Sequence, residues 1–200
     1  MTVKSRREEY AEVTRTAIID AAIALFATEG YLGANIDAIA VRARVTKGAV
    51  YHHFADKSAL FEAAYIAVED RLVSTVLEKV EGLDDPRHAL LTGMDAFLEE
   101  CCTPGFARIA LEEAPVALGW KRWKQTEEKY FLGLIQMALQ AMSSLGQISP
   151  VLEIPLTARM LLAALDEAGL AVALSQDTHA ECRKAHAVLT TLVTGLAPLA

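Results

Sequence analysis

The block at residues 35–57, NIDAIAVRARVTKGAVYHHFADK, constrains the chain more than any other stretch. It reads as two short helices joined by a tight turn, followed by the start of a third. The first helix carries Ile36, Ile39 and Ala40 at helical spacing. Residues 42–45 make the turn. The second helix opens at Thr46, a good N-cap residue, with Val50 and Phe54 on one face and Lys47, His52 and His53 on others. A short helix whose outer face is basic, aromatic and hydroxylic can enter a DNA major groove. The block is therefore read as a helix-turn-helix that the rest of the chain positions and controls.

The flanking sequence is helical throughout. Residues 13–28 form a helix with Ile18, Ala22, Leu25 and Phe26 as its apolar stripe. Gly30 follows as the C′ residue, where positive φ costs little. Residues 31–34 link this helix to Asn35, the N-cap of the next. Asp56 caps a long helix over 57–80. The Gly82 to Pro86 region is a break, and a helix over 87–102 stops at Thr103-Pro104-Gly105. A short helix over 106–113 ends at Ala114-Pro115, and a long one covers 116–145. After a loop at 146–150, the helix over 156–175 is apolar almost all round, which demands burial on two sides. The last helix covers 178–196. The expected fold is all-α with about nine helices, no strand and no internal repeat.

Composition and charge bound the function. In 200 residues, 53% are apolar by the AVILMFWYC count and only 6 are Pro, enough for a substantial core. The start, MTVKSRREEYAEVTR, is too polar for a signal peptide. The longest apolar stretch, residues 154–174, is interrupted by Pro155, Arg159, Asp166 and Glu167, so no membrane partner is expected. Three cysteines, Cys101, Cys102 and Cys182, fit free thiols in a cytoplasmic protein. The net charge of −7 is unevenly spread. Residues 1–60 carry 8 Lys/Arg against 7 Asp/Glu, and the remainder 11 against 19. The acid sits on the body, and affinity for nucleic acid follows charge near the phosphates. Lys4, Arg6 and Arg7 form a basic N-terminal arm that suits either a solubilising terminus or a DNA contact.

The block Thr16 to Leu60 resembles the N-terminal domain of TetR/AcrR-family transcriptional regulators. The matching features are Ala21-Ala22, Leu25-Phe26, Gly30-Tyr31, Ile39-Ala40, Val45-Thr46-Lys47-Gly48, Tyr51-His52-His53-Phe54 and Lys57. The resemblance implies a three-helix DNA-binding head at 1–58 and a six-helix regulatory and dimerisation body at 59–200. It implies a homodimer through the two C-terminal helices, operator double-stranded DNA as partner and a small-molecule effector. Lys47, Gly48, Ala49, Tyr51 and His52 would lie in the major groove, with Lys47 donating to guanine and the Ala49 methyl meeting thymine. Thr46, Tyr51, His53 and Lys57 would contact phosphates. Asn35 stands where Thr or Ser is common and caps equally well. Arg44 departs from the pattern. The family has Gly at this turn position, so a positive φ there would cost on the order of 1 kcal/mol, and Arg44 offers a phosphate contact in exchange.

An effector site is expected between the body helices, with Phe97, Cys101, Phe106, Trp120, Trp123, Tyr130, Met137 and Met160 as candidate lining for a small hydrophobic or aromatic ligand. Each of these also suits a core position. Arg108, Glu112 and Glu113 are candidate polar groups. His179, Cys182 and His186 share a helix face but lack a fourth ligand, so no metal is expected. Cys101-Cys102 reads as core filler rather than a thiol sensor. There is no nucleophile–base pair, HExxH or glycine-rich phosphate loop, so no catalytic residue and no cofactor are expected. The leading reading is a ligand-responsive repressor. The rivals are a helical enzyme or carrier that uses the head as a dimer prop, and an activator or nucleoid-type binder without effector-dependent release.

Overall fold

A computed structural model describes residues 5–198, which form nine helices and no strand. Lys4 of the basic arm lies outside the described residues.

Helix α1, Arg6–Gly33, starts earlier than the expected residue 13. Ser5 and Glu8 form a capping box. The Glu8 amide donates to Ser5 Oγ, and the Ser5 amide donates to Glu8 Oε2 at 2.8 Å. Glu8 is held below the usual carboxylate range by those Ser5 contacts. At the other end Gly30 adopts φ +72, and one more helical turn follows where a link was expected. A Cβ at position 30 would come within 2.7 Å of Arg108 Nη2 and closer still to Glu113 Oε1. Glycine is thus required both by the backbone and by the side chains packed over it. Helix α1 is also the one described helix long and apolar enough by composition to cross a membrane. Here its Ile18, Ala22 and Phe26 are wholly enclosed in the fold.

Helix α2 is Ile36–Arg42, α3 is Lys47–His53 and α4 is Lys57–Val80. Each opens on the expected cap: Asn35 Oδ1 accepts from the Ala38 amide at 2.8 Å, Thr46 Oγ1 from Ala49 at 3.2 Å and Asp56 Oδ1 from Ala59 at 2.7 Å. The head core is built from Phe26 of α1, Ile39 of α2, Val50 of α3, and Leu60 and Phe61 of α4. Phe61 meets Phe26 edge-on at 4.9 Å and Tyr31 at 5.1 Å.

Helix α5 is Pro86–Cys101, capped by Asp85 with Pro86 in its first turn. Helix α6 covers residues 104–117 without a break and passes through a π turn at Arg108–Glu113. Pro115 was expected to end a helix at 113. It lies instead within this continuous helix directly after the π turn, in which the Ala114 amide donates to the Ile109 carbonyl. The long helix expected over 116–145 is interrupted at Gly119, which takes φ +79. Helix α7 therefore covers 120–144, with a second π turn at Glu128–Leu132. The π turn of α6 leaves the Ala110 carbonyl to accept from Trp123 Nε1 at 3.0 Å. Helix α8 is Ile154–Leu174 and α9 is Thr178–Thr194. Phe97 of α5 packs directly on Gly169 of α8, where a Cβ would lie 2.6 Å from its ring. Leu98, Ile109, Leu139, Leu162 and Val193 are among the enclosed residues of the body.

Candidate nucleic-acid interface

The turn between α2 and α3 closes by backbone hydrogen bonds. The Val45 amide donates to the Ala40 carbonyl at 3.0 Å and the Arg44 amide to Val41 at 3.1 Å. This is the Schellman arrangement, and its C′ residue must turn left-handed. Arg44 does so at φ +58, alone among the described non-glycine residues.

Val50 and Phe54 are buried and fix α3 to the head, while Thr46, Lys47, Gly48, Tyr51 and His52 are exposed on its outer face. Ala49 and His53 are half-buried beside them. A Cβ at Gly48 would meet nothing closer than Thr46 Oγ1 at 3.8 Å. Glycine inside a helix costs about 1 kcal/mol relative to alanine, and no neighbour within the chain asks for it here.

Lys47, Lys57 and Arg15 are already engaged. Lys47 Nζ donates to Asp37 Oδ2 at 2.9 Å, and that hydrogen bond raises its pKa. Lys57 Nζ donates to the Leu32 carbonyl at 3.3 Å and lies 4.9 Å from the centre of the Tyr31 ring. It thus satisfies the last turn of α1 from the start of α4. Arg15 of α1 sits 5.0 Å over the Phe54 ring. Burial lowers the pKa of His53, and the nearby His52 and Arg15 charges lower it further. Sequence reasoning did not find Asp37 or Arg15. Asp37 opens α2 and faces the opening of α3, a proximity that only the turn creates.

In the body, a cavity of about 200 Å³ lies between α4, α5 and α7, with Leu165 of α8 also on its wall. Val76, Met94, Phe97, Phe131, Leu134 and Ile135 typify its wall, which carries no charged side chain. Of the eight candidate lining residues, Phe97 and Met137 are on this wall. Cys101, Phe106 and Trp123 are buried away from it, Tyr130 is half-buried, and Trp120 and Met160 are exposed. Burial pushes the Cys101 thiol pKa well up. Arg108 donates to the carbonyls of Ala27 and Thr28, at 3.3 and 2.7 Å, and so holds α1 just before its kink. His186 Nδ1 is 2.5 Å from Asp95 Oδ1, which ties α9 to α5.

A three-helix head with an exposed, tightly turned recognition helix, carried by an all-helical body, defines a helix-turn-helix DNA-binding regulator. The pattern described as "Bacterial regulatory proteins, tetR family" matches residues 18–64, and "Tetracyclin repressor-like, C-terminal domain" matches residues 87–196. The chain belongs to the TetR family of transcriptional regulators. The Transposon Tn10 TetC protein of Escherichia coli is 26% identical over 151 residues, 74% of this chain and 75% of that protein. A TetR-family regulator from Pectobacterium atrosepticum superposes with TM-score 0.81 at 23% identity, over 97% of this chain and 98% of that one. FadR from Bacillus subtilis, solved in complex with stearoyl-CoA, superposes with TM-score 0.78 at 20% identity, over 90% and 98%.

Proposed function

We propose that this regulator is a homodimeric, cytoplasmic repressor that leaves its operator when a small apolar effector enters the cavity of the body. The observation that carries the reading is the course of α4. One unbroken helix, Lys57–Val80, begins four residues after the recognition helix, packs there on α1 through Lys57 and Phe61, and ends on the cavity wall through Val76, Leu77 and Val80. At 1.5 Å per residue, such a helix spans about 36 Å as a rigid rod. A ligand that shifts its cavity end tilts its head end. The boundary between a head at 1–58 and a body at 59–200 falls at the start of this rod.

The residues proposed to meet the major groove are Lys47, Gly48, Ala49, Tyr51 and His52, with Arg44, Thr46, His53 and Lys57 on phosphates and Asn35 capping α2. Lys47 and Lys57 would exchange their present partners, Asp37 and Leu32, for DNA. Dimerisation is supported by the outer face of α8 and α9. Leu156, Met160 and Leu174 on α8 and Val188 and Leu192 on α9 are exposed although apolar. Pairing those faces in two chains would give a four-helix bundle and set two recognition helices one DNA turn apart, about 34 Å. The complex of FadR with stearoyl-CoA is a case of the same fold holding a ligand with a long apolar chain.

The effector must prefer the released state, because equal affinity for both states shifts nothing. The test is a gel shift with the full chain on the DNA upstream of its own gene and its neighbours. A specific complex that survives competitor DNA and yields to Lys47→Ala and Tyr51→Ala is expected. Absence of any specific complex at low salt would sink the proposal.

A further inference from the structure

An ion pair joins the two helices of the helix-turn-helix across their opening turns. Asp37 lies in the first turn of α2, and Lys47 is the first residue of α3. Lys47 Nζ donates to Asp37 Oδ2 at 2.9 Å, yet the two side chains stay open to solvent, at 52% and 67% exposure. An exposed pair of this kind adds little to stability, because water solvates the separated charges almost as well. Neither helix needs it as a cap, since Asn35 and Thr46 fill that role.

A carboxylate beside the opening of a recognition helix is an electrostatic liability. The first residues of such a helix approach base edges, with the phosphates close by. A negative charge there weakens binding to every sequence alike. It becomes favourable only against a donor, and the major groove offers donors at cytosine N4 and adenine N6.

We propose that Asp37 and Lys47 together read one G·C base pair in each half-site, with Lys47 donating to guanine O6 and N7 and Asp37 accepting from the cytosine N4 amine. The inference rests on the placement of α3 in the major groove and adds to it a second reader, on α2. The spacing carries it. Within a G·C pair the cytosine N4 amine donates to guanine O6, so that donor and acceptor are about 2.9 Å apart. The Lys47 ammonium and the Asp37 carboxylate offer the complementary donor and acceptor at the same separation. On docking, the two side chains exchange their mutual bond for bonds to the two bases, and neither charge is left without a partner.

The order of the groups selects the base pair. From the purine side, the edge of G·C reads acceptor, acceptor, donor, and the edge of A·T reads acceptor, donor, acceptor, methyl. An ammonium has three donors and can take both guanine acceptors while the carboxylate takes the amine. On A·T the ammonium reaches one acceptor, and the other falls beside the carboxylate. Reversal to C·G sets the carboxylate against the guanine acceptors.

Enrichment of a randomised duplex pool on the full chain, repeated with Asp37→Ala and Lys47→Ala, tests this. The unaltered protein is expected to enrich a palindrome with a G·C pair at one position of each half-site. Both variants should relax that same position, cutting its preference for G·C over A·T by at least about fivefold, and leave the other positions as they were. The ratio is the readout, since removal of a carboxylate tightens binding to every duplex. Both side chains are exposed, so neither variant takes a contact from the core. Fluorescence anisotropy on the enriched duplex then isolates the cytosine contact. With 2-pyrimidinone, which lacks the 4-amino group, in place of that cytosine, the unaltered protein should lose at least about fivefold and Asp37→Ala nothing further. Relaxation of different positions by the two variants, tighter binding by Asp37→Ala with unchanged preferences, or an equal loss by both proteins on the modified duplex overturns the proposal. Preference for A·T at the shared position overturns it as well. The two readings fail separately. A pool without any enriched sequence removes the DNA reading of the head and this pair with it. An enriched site that depends on Lys47 and not on Asp37 keeps the DNA reading and removes the composite reader.

Discussion

Arg44 holds the turn of the helix-turn-helix in a left-handed conformation that costs a side-chain-bearing residue about 1 kcal/mol or more. Arg44→Gly is expected to stabilise the protein by about 0.5–1 kcal/mol, part of the relief being lost to a freer unfolded chain. That is a rise of about 1–4 °C in thermal melting. If Arg44 contacts a phosphate, the same variant lowers the slope of log affinity against log salt by about 1, measured by fluorescence anisotropy. The backbone strain was expected from the resemblance to the family, which has Gly at that position, and the hydrogen bonds of the turn supply its physical reason. Glu69 was not read as special, although it falls in the same inward row as Phe61, Tyr65 and Leu72. Its pKa is raised from 4.5 to about 8 by burial. The folded state therefore holds a proton that the unfolded chain gives up. That contribution to stability is complete below about pH 4.5 and is lost as pH rises through about 8. Glu69→Gln should flatten the fall in urea-denaturation stability across this window, and an unchanged pH profile would contradict the assignment.

Among the elements, α4 and α6 carry the connections between head and body. Arg108 of α6 donates to two carbonyls of α1 just before the Gly30 kink, and Arg71 of α4 pairs with Asp20 of α1 at 2.5 Å. Arg108→Ala is expected to leave ligand binding within about twofold and to weaken ligand-driven release of DNA, since the head then loses a hold on the body. Gel shifts over a ligand titration measure the difference. Gly93 of α5 lines the cavity and faces Val76 Cγ1, which a Cβ would approach to 3.4 Å. Gly93→Leu should fill the cavity and abolish ligand binding while the DNA complex persists, with Gly93→Ala as the milder control. Element starts at α2, α3 and α4 were legible because a cap is a contact within three residues of chain. The start of α1 was legible too, through Ser5 and Glu8, but was placed too late. The break at Gly119 and the two π turns were missed. A π turn is stabilised by what packs against it, and Gly119 becomes a break only when its φ turns positive.

For the whole molecule, α8 presents apolar residues on two faces. One face, with Leu161, Leu162 and Leu165, is inside the body, and the other, with Met160 at 66% exposure, is outside. Leu192→Glu or Met160→Glu should convert a dimer to a monomer in sedimentation and lower operator affinity by at least about tenfold, because each head then binds its half-site unaided. A variant that stays dimeric would exclude this face. The sequence by itself determined the helical class, the helix-turn-helix, its caps and the surplus apolar face, since each follows from spacing along a few turns of chain, while the strained turn was expected from the family resemblance. Only the tertiary structure decided which aromatic residues line a cavity and which fill the core. Only it paired Lys47 with Asp37 and brought Glu127 and Asp166 together at Lys124. Those outcomes depend on how far each helix slides and turns against its neighbours, and no local pattern of residues records that.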